Sequence, residues 1–193
     1  MTDYKARRKM MVDTQVRPSD VTKFPIIDAM LSVPREDFVP ASLREAAYVG
    51  ENIALGANRV MLEPRTLAKM LDALSIEPEH VVLDLGCGLG YSTAILAKMA
   101  EFVVAVEEDA DNATQAQNIL SESGVDNAAV MQGAVRDGAA KSAPYDIVMI
   151  QGAVEVVPDA ILAQLRDGGR IACIFAEGAL GVVRIGRKID GSV

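Results

Sequence analysis

The sequence predicts an α/β fold: a mostly parallel, twisted sheet with helices on both faces and a helical cap at the N-terminus. From Val81 onward, short and almost wholly apolar segments alternate with helical ones, which is typical of parallel strands covered on both faces. Before that point, apolar residues recur at helical spacing on either side of an irregular stretch, residues 34–62.

The second half of the chain contains the predicted sheet. Its strands are the β-rich segments 81–85, 102–106, 128–131, 147–150, 171–176 and 181–185. The helices predicted between them are 91–99, 109–124 with Asp109 or Asp111 as its cap, and 158–168, which Pro158 opens and two glycines stop. Alternation of this kind predicts that the carboxyl ends of the strands share one edge of the sheet.

The first half is predicted to be a cap near that edge. Asp20 can cap one helix, and Pro64 opens another whose apolar residues recur at helical spacing from Leu67 to Leu74. Open α/β folds bind ligands beyond the carboxyl ends of their strands. We therefore expect residues 1–78 to supply the acceptor side of a site and residues 79–193 to form its ligand-binding core, within one compact domain.

Composition and charge exclude several classes of function. The net charge is −8, and the one basic cluster, residues 5–9, is brief, so neither nucleic acid nor a membrane is an expected partner. Cys87 and Cys173 are far apart and His80 is the only histidine, so we expect no disulfide framework, no metal site and no histidine-based triad. No apolar run approaches the ~20 residues of a membrane span. The expected location is the cytoplasm, and the oligomeric state is left open.

The strongest functional signal is segment 84–91, Asp-Leu-Gly-Cys-Gly-Leu-Gly-Tyr. Three glycines at alternate positions link an apolar strand to a helix, and their missing Cβ atoms let a ligand approach the backbone N–H groups. A P-loop needs Gly-Lys-Ser/Thr, and a dinucleotide site needs GxGxxG, where Tyr91 stands in place of the last glycine. An NAD-dependent oxidoreductase is thus a remote alternative. Asp84 is expected to point its carboxylate into the crevice, which favours a ligand with ammonium and sulfonium groups.

An acidic residue follows the second strand of the predicted sheet. Glu107 lies 21 positions after Gly86, and a carboxylate at that place can accept both hydroxyls of a ribose. Glu108 and Asp109 crowd the same turn. We therefore predict Glu107 as the ribose-binding residue and Glu108 as its substitute.

These residues resemble the first motif and the acidic follower of Rossmann-like, S-adenosylmethionine-dependent methyltransferases. The chain is further similar to the protein-L-isoaspartate O-methyltransferase family in segments 34–40 (Pro-Arg-Glu-Asp-Phe-Val-Pro), 47–48, 143–146 and 164–170. The first of these segments is the most specific to the family. The resemblance implies a Rossmann-like methyltransferase fold and S-adenosylmethionine as cofactor, with S-adenosylhomocysteine as product. The residues expected to hold the cofactor are Asp84, Gly86, Cys87, Gly88, Gly90, Tyr91, Glu107, Glu108, Gly133 and Ala134.

The resemblance also implies the reaction, in which a methyl group passes to the carboxylate of isomerised aspartate in damaged proteins. The expected partner is then a protein or peptide with isoaspartyl residues. A carboxylate is already a nucleophile at neutral pH, so the enzyme mainly has to align oxygen, methyl and sulfur in a dry site. No catalytic residue is assigned, and the acceptor-site candidates are Met61 and Leu62.

Departures from the family's pattern surround the acceptor and adenine subsites. Leu62 stands where the resemblance implies a serine, and a leucine cannot donate a hydrogen bond to the acceptor. Residues 133–134 lack the carboxylate implied near the adenine amino group, for which Gln132 is a partial substitute. Residues 151–152 and 174–176 also differ. Two alternatives therefore stay open: a methyltransferase with another acceptor, and a catalytically silent protein that binds S-adenosylmethionine.

Overall fold

The computed structural model of the 193-residue chain describes residues 3–56, 58–178 and 180–193. The helices are α1 (Tyr4–Met11), α2 (Phe24–Ser32), α3 (Pro64–Leu74), α4 (Tyr91–Ala97), α5 (Ala110–Glu122) and α6 (Asp159–Gln164). The strands are β1 (Ile53–Gly56), β2 (Arg59–Met61), β3 (Val81–Leu85), β4 (Phe102–Glu107), β5 (Ala128–Gln132), β6 (Tyr145–Val154), β7 (Leu165–Glu177) and β8 (Leu180–Arg187). Short π-helical and 3-10 turns cover Val12–Val16, Arg17–Ser19, Arg35–Phe38, Ala41–Ala46, Val135–Asp137 and Ala140–Ser142.

The central sheet has the strand order β5-β4-β3-β6-β7-β8. Its first five strands are parallel, and β8 returns antiparallel to β7. The chain builds outward from β3 through β4 to β5 and then crosses to β6 on the other side of β3. Such a reversal of strand order opens a crevice at the carboxyl ends of the two strands, where open α/β folds bind ligands. The crevice therefore lies between the ends of β3 and β6.

Apolar residues cover both faces of the sheet. Alternate strand residues point to opposite faces; Val82 faces the cluster that holds α1 to α5, whereas Leu83 and Leu85 face α6 and the turns after β5. The predicted fold class is thereby confirmed. Side chains from before and after residue 78 share the first cluster, and the boundary proposed there stays a prediction.

Two predicted element ends were wrong. Asp20 does not cap α2; it ends a 3-10 turn with a φ of 64°, and α2 begins at Phe24. The helix opened by Pro158 ends at Gln164, before the glycines. The Gln164 side chain accepts a hydrogen bond from the backbone N–H of Ala139, and the next residue already pairs with β6 as part of β7. Tertiary pairing thus ends this helix earlier than its local pattern predicts.

The stretch 34–62, which the pattern left irregular, contains a short antiparallel hairpin of β1 and β2. Ile53 pairs with Met61, and Gly56 and Asn58 have φ values of 85° and 58° near the turn. Its strands are four and three residues long, too short to give a clear alternating signal. This hairpin lies over the carboxyl edge of the central sheet.

The basic cluster of residues 5–9 lies on α1. Within this cluster, Arg8 is part-buried, and its guanidinium donates to Glu36 at 3.1 Å and to the Tyr48 hydroxyl at 3.0 Å. The part-buried ion pair of Arg8 and Glu36 connects α1 to the Pro-Arg-Glu-Asp-Phe-Val-Pro segment. Among the described residues, none of the helices has the length and apolar character needed to cross a membrane.

Candidate cofactor-binding site

The glycine loop runs from the end of β3 into α4 as the sequence predicts. Gly86, Gly88 and Gly90 have φ values of 75°, 58° and 94°, a region that side chains with a Cβ rarely adopt. Close packing adds a second requirement at Gly88, where a Cβ would lie 2.6 Å from Leu55 Cδ1. The loop backbone is therefore open to close approach from the hairpin side.

Glu107 is fixed against this loop. Its side chain is fully buried at the end of β4 and accepts backbone N–H groups of Gly88 at 2.8 Å, Glu108 at 2.8 Å and Asp109 at 3.1 Å. Arg59 Nε also donates to both of its oxygens, at 3.0 and 3.1 Å. The Glu108 side chain is 63% exposed. The geometry thus favours Glu107 over Glu108 as the acceptor of ribose hydroxyls, which stays a prediction.

The surroundings of the Asp84 carboxylate differ from those that the sequence predicted. Its carboxylate is fully buried and accepts the hydroxyls of Ser92 and Thr93, each at 2.7 Å, and the side-chain amide of Gln151 at 2.8 Å. The sequence predicted a carboxylate that points into the crevice, but these donors enclose it. Its role toward the cofactor stays a prediction. Burial raises the pKa of Asp84; the three donors oppose that shift and Glu107 adds to it. Asp84 joins β3, α4 and β6 and presents Gln151 to the crevice.

The acceptor-site candidates meet the glycine loop around one small cavity. Met61 and Leu62 line it together with Cys87 and Tyr91. Its volume is about 10 Å³, which is room for about one water molecule. The rest of its lining is Leu55, Val60, Ser92 and Gln151. The structure therefore brings together residues that the sequence proposed for both substrates, in a crevice that is nearly closed.

A larger cavity of about 260 Å³ lies at the ends of β3 and β6. Arg59, Arg136 and Glu108 form its polar part. The other lining residues are Leu85, Val135, Ile150, Val154, Val156, Pro158 and Ile161. Apolar walls with a few polar groups are typical of sites for small molecules, and the volume of this cavity is just below their usual range of about 300–1,000 Å³.

Gly133 and Ala134 lie between β5 and this larger cavity. Gly133 N donates to the carbonyl of Glu107 at 3.0 Å, and Ala134 precedes the turn that carries Val135 into the lining. Gln132 is exposed at the end of β5. The role of residues 133–134 toward a base stays a prediction.

Cys87 is a packed residue of the loop. Its side chain is buried, and burial raises the pKa of the thiol well above its ordinary value, with Asp84 and Glu107 adding to the shift. A thiol of this kind is a weak nucleophile, because the reactive form is the thiolate. Cys87 can thus line the site but is unsuited to attack a substrate.

Sequence reasoning missed the role of Arg35, which it used only as part of a family-specific segment. The side chain is fully buried and donates to the carbonyls of Ala47 at 2.6 Å and Leu62 at 2.8 Å. Its guanidinium stacks on the Tyr91 ring at 4.7 Å. Arg35 thus connects the acceptor-side segment to the first turn of α4. The sequence did contain a signal for this role, because Arg35 is a charged residue that stands between an apolar helical segment and Phe38.

Leu62 separates the crevice from a groove on the opposite side. The groove has a volume of about 360 Å³, and Glu63, Thr66, Ile174 and Val183 line it with Leu62. Thr66 donates its hydroxyl to the Glu63 carboxylate at 2.7 Å. A substrate in this groove would meet the crevice at the Leu62 side chain.

The chain is similar to known proteins over almost its whole length. The family model of protein-L-isoaspartate(D-aspartate) O-methyltransferase (PCMT) matches residues 6–193. A protein-L-isoaspartate O-methyltransferase of Koribacter versatilis is 32% identical over 191 residues, covering 99% of this chain and 86% of that protein. One from Synechococcus sp. is 35% identical over 174 residues, covering 90% and 71%.

Two solved structures share the fold. A protein-L-isoaspartate O-methyltransferase has a TM-score of 0.83 at 22% identity over 95% of this chain, which spans 60% of that longer chain. A putative protein-L-isoaspartate O-methyltransferase from Plasmodium falciparum, in complex with S-adenosyl-L-homocysteine, has a TM-score of 0.82 at 16% identity, covering 100% of this chain and 93% of that chain. The family that the motifs indicated is confirmed. This chain belongs to the protein-L-isoaspartate(D-aspartate) O-methyltransferase family.

Proposed function

We propose that this chain is an S-adenosylmethionine-dependent O-methyltransferase that transfers a methyl group to the carboxylate of isoaspartyl residues in proteins or peptides. The observation that carries the proposal is the cradle formed by Glu107 and the glycine loop, in which a buried carboxylate is bonded to the N–H of Gly88. Family membership supports the reaction class. The unpaired, buried Cys87 and Cys173 support a reducing compartment such as the cytosol.

The residues of the crevice fit the chemistry of this cofactor. Glu107 offers two carboxylate oxygens for a ribose, and the neighbouring cavity of about 260 Å³ has apolar walls for a base. The Gln151 amide, held by Asp84, lines the adjoining small cavity. Arg59 lies against Glu107, and Leu55 lies against the glycine loop.

The chain's own residues align the two reactants and limit the access of water to them. S-adenosylmethionine, when bound, supplies a methyl group activated by its sulfonium. An isoaspartyl carboxylate is ionised at neutral pH, so no residue has to remove a proton from it. Met61, Leu62 and Tyr91 are buried around the small cavity and exclude water from it. Alignment in a water-free site can supply much of the rate enhancement.

A second candidate is methyl transfer to a less polar acceptor. Leu62, Ile174 and Val183 give the acceptor-side groove apolar walls, and Leu62 has no hydrogen-bond donor for a carboxylate. This candidate shares the cofactor site with the first and differs only in the group that is methylated.

Methyl transfer from labelled S-adenosylmethionine to an isoaspartyl peptide, compared with the matching aspartyl peptide, tests the proposal. We expect transfer to the isoaspartyl peptide alone. No transfer to it, with S-adenosylhomocysteine bound, would contradict the repair assignment and favour either the second candidate or a catalytically silent protein that binds S-adenosylmethionine.

Leu62→Ser is a sharper probe of the acceptor side. A hydrogen bond to a charged group contributes about 1.5–3 kcal/mol, so we expect kcat/KM for the isoaspartyl peptide to rise about 10- to 100-fold. Val60→Thr adds a hydroxyl to the same cavity at another place and serves as the control. Equal rates for wild type and Leu62→Ser would contradict this placement of the acceptor.

A further inference from the structure

We propose that the β1–β2 hairpin is a built-in competitor of the cofactor, with Arg59 occupying the ribose position and Leu55 covering the glycine loop. The inference rests on the proposed function, because it concerns the same crevice. It adds that binding of the nucleoside requires the hairpin to move, so that Arg59 and Leu55 set the apparent affinity.

Arg59 takes the acceptor positions of Glu107. Its Nε lies 3.0 and 3.1 Å from the two carboxylate oxygens, and its Nη2 lies 3.5 Å from the Glu108 carboxylate. Its Nε is also 3.6 Å from the place where a Cβ of Gly86 would stand. A guanidinium bonded to both oxygens and a ribose diol bonded to the same oxygens cannot be present together. Arg59 therefore competes directly with a ribose.

Leu55 covers the next part of the loop. Its Cδ1 lies 2.6 Å from the place where a Cβ of Gly88 would stand, so its methyl group fills the space that the glycine leaves free. The remaining cavity on this side is about 10 Å³, which is enough for about one water molecule. The hairpin thus takes the surface that the alternating glycines would offer to a ligand.

The hairpin is built so that it can be displaced. β1 and β2 form a separate two-stranded sheet rather than additional strands of the central one. Loss of Arg59 leaves Glu107 with three backbone donors, the N–H groups of Gly88, Glu108 and Asp109. Displacement therefore does not leave a buried carboxylate without hydrogen bonds, which would otherwise be costly.

The chain is held in place on both sides of the hairpin. Arg35 binds the carbonyl of Leu62 just after β2, and also the carbonyl of Ala47 before β1. With both ends attached, motion can be confined to β1 and β2. Each tenfold preference for the closed state lowers the apparent affinity for a ligand of the open state about tenfold.

Calorimetric titration of the full chain with S-adenosylhomocysteine tests the inference. We expect Arg59→Ala to bind about tenfold more tightly than wild type, because the closed state loses its ion pair. Leu55→Ala should also tighten binding, by removing the methyl groups above Gly88 without a change of charge. The control is Arg44→Ala, which removes an exposed guanidinium paired with Asp37 at 3.5 Å and should leave the affinity unchanged.

The alternative outcomes separate this inference from the proposed function. Equal affinity of wild type and Arg59→Ala would overturn the competition and leave the cofactor site standing. Weaker binding by Arg59→Ala would overturn it too, because Arg59 would then be a ligand contact. No binding by wild type or by either crevice variant would overturn both.

Hydrogen exchange without ligand supplies a second readout. Arg59→Ala should speed amide exchange in β1 and β2 and leave β3 unchanged, because only the hairpin loses its anchor on Glu107. Unchanged exchange in the hairpin would show that this ion pair does not hold it closed, and would overturn the inference.

Discussion

Substitution of Glu107 by glutamine should destabilise the fold, although it replaces only one carboxylate oxygen by an NH₂ group of similar size. The carboxylate receives N–H donors on both oxygens: Glu108 and Asp109 donate to Oε1, and Gly88 donates to Oε2. Either orientation of a glutamine amide places its NH₂ group against at least one of these donors. A backbone N–H that was bonded in wild type then loses its acceptor.

The size of the effect follows from burial. A buried donor without an acceptor costs about 1–3 kcal/mol. For a chain of this length, 1 kcal/mol lowers the melting temperature by about 2–4 °C. Glu107→Gln should therefore melt about 2 to 12 °C below wild type.

Differential scanning calorimetry at neutral pH measures this difference. Glu108→Gln is the matched control, because its side chain is 63% exposed on the next residue and pairs only at 3.5 Å with Arg59. We expect the control to melt with wild type. Equal melting temperatures for all three proteins would refute the assignment of Glu107 as the residue that fixes the glycine loop.

Three further predictions concern other buried groups. Arg35→Met leaves the buried carbonyls of Ala47 and Leu62 without their donor, so urea unfolding should show a loss of about 2–6 kcal/mol, and a loss below that range would contradict this role. Burial raises the thiol pKa of both Cys87 and Cys173, so the folded chain should resist a thiol reagent at pH 8 and react only after unfolding in urea. Burial also raises the pKa of Asp84 above its unfolded value of 3.8; its folded form holds the proton more tightly, so its contribution to stability should fall as pH rises from about 4 through the raised pKa. Unfolding at a series of pH values should show that Asp84→Asn lacks this dependence.

Much of the fold could be predicted because its signals are local. The apolar run Val81–Leu85 marks β3, and Asp109 caps α5 as its position suggests, accepting the N–H of Asn112 at 2.9 Å. The failures lie where distant contacts decide. The β1–β2 hairpin has strands too short for a periodic signal, and α6 ends at Gln164 because the chain pairs with β6 there.

The candidate site likewise has parts that local sequence patterns predict and parts that depend on distant contacts. The glycine loop and Glu107 follow directly from strands that end at one edge of the sheet, so spacing alone could predict their meeting. The partner of Glu107, Arg59, is 48 positions away, and the partner of Asp84, Gln151, is 67 positions away. No local pattern encodes such pairs. The sequence could thus predict where a nucleoside would bind but could not predict that the chain covers that place itself.

A crystal structure of the chain grown with S-adenosylhomocysteine tests the central claim most directly. The account predicts a bound nucleoside with its ribose hydroxyls on the Glu107 carboxylate, its base in the apolar cavity beside Val135, and Arg59 turned away from the crevice. Crystals grown at saturating ligand in which Arg59 still binds Glu107, with no nucleoside beside the glycine loop, would contradict it.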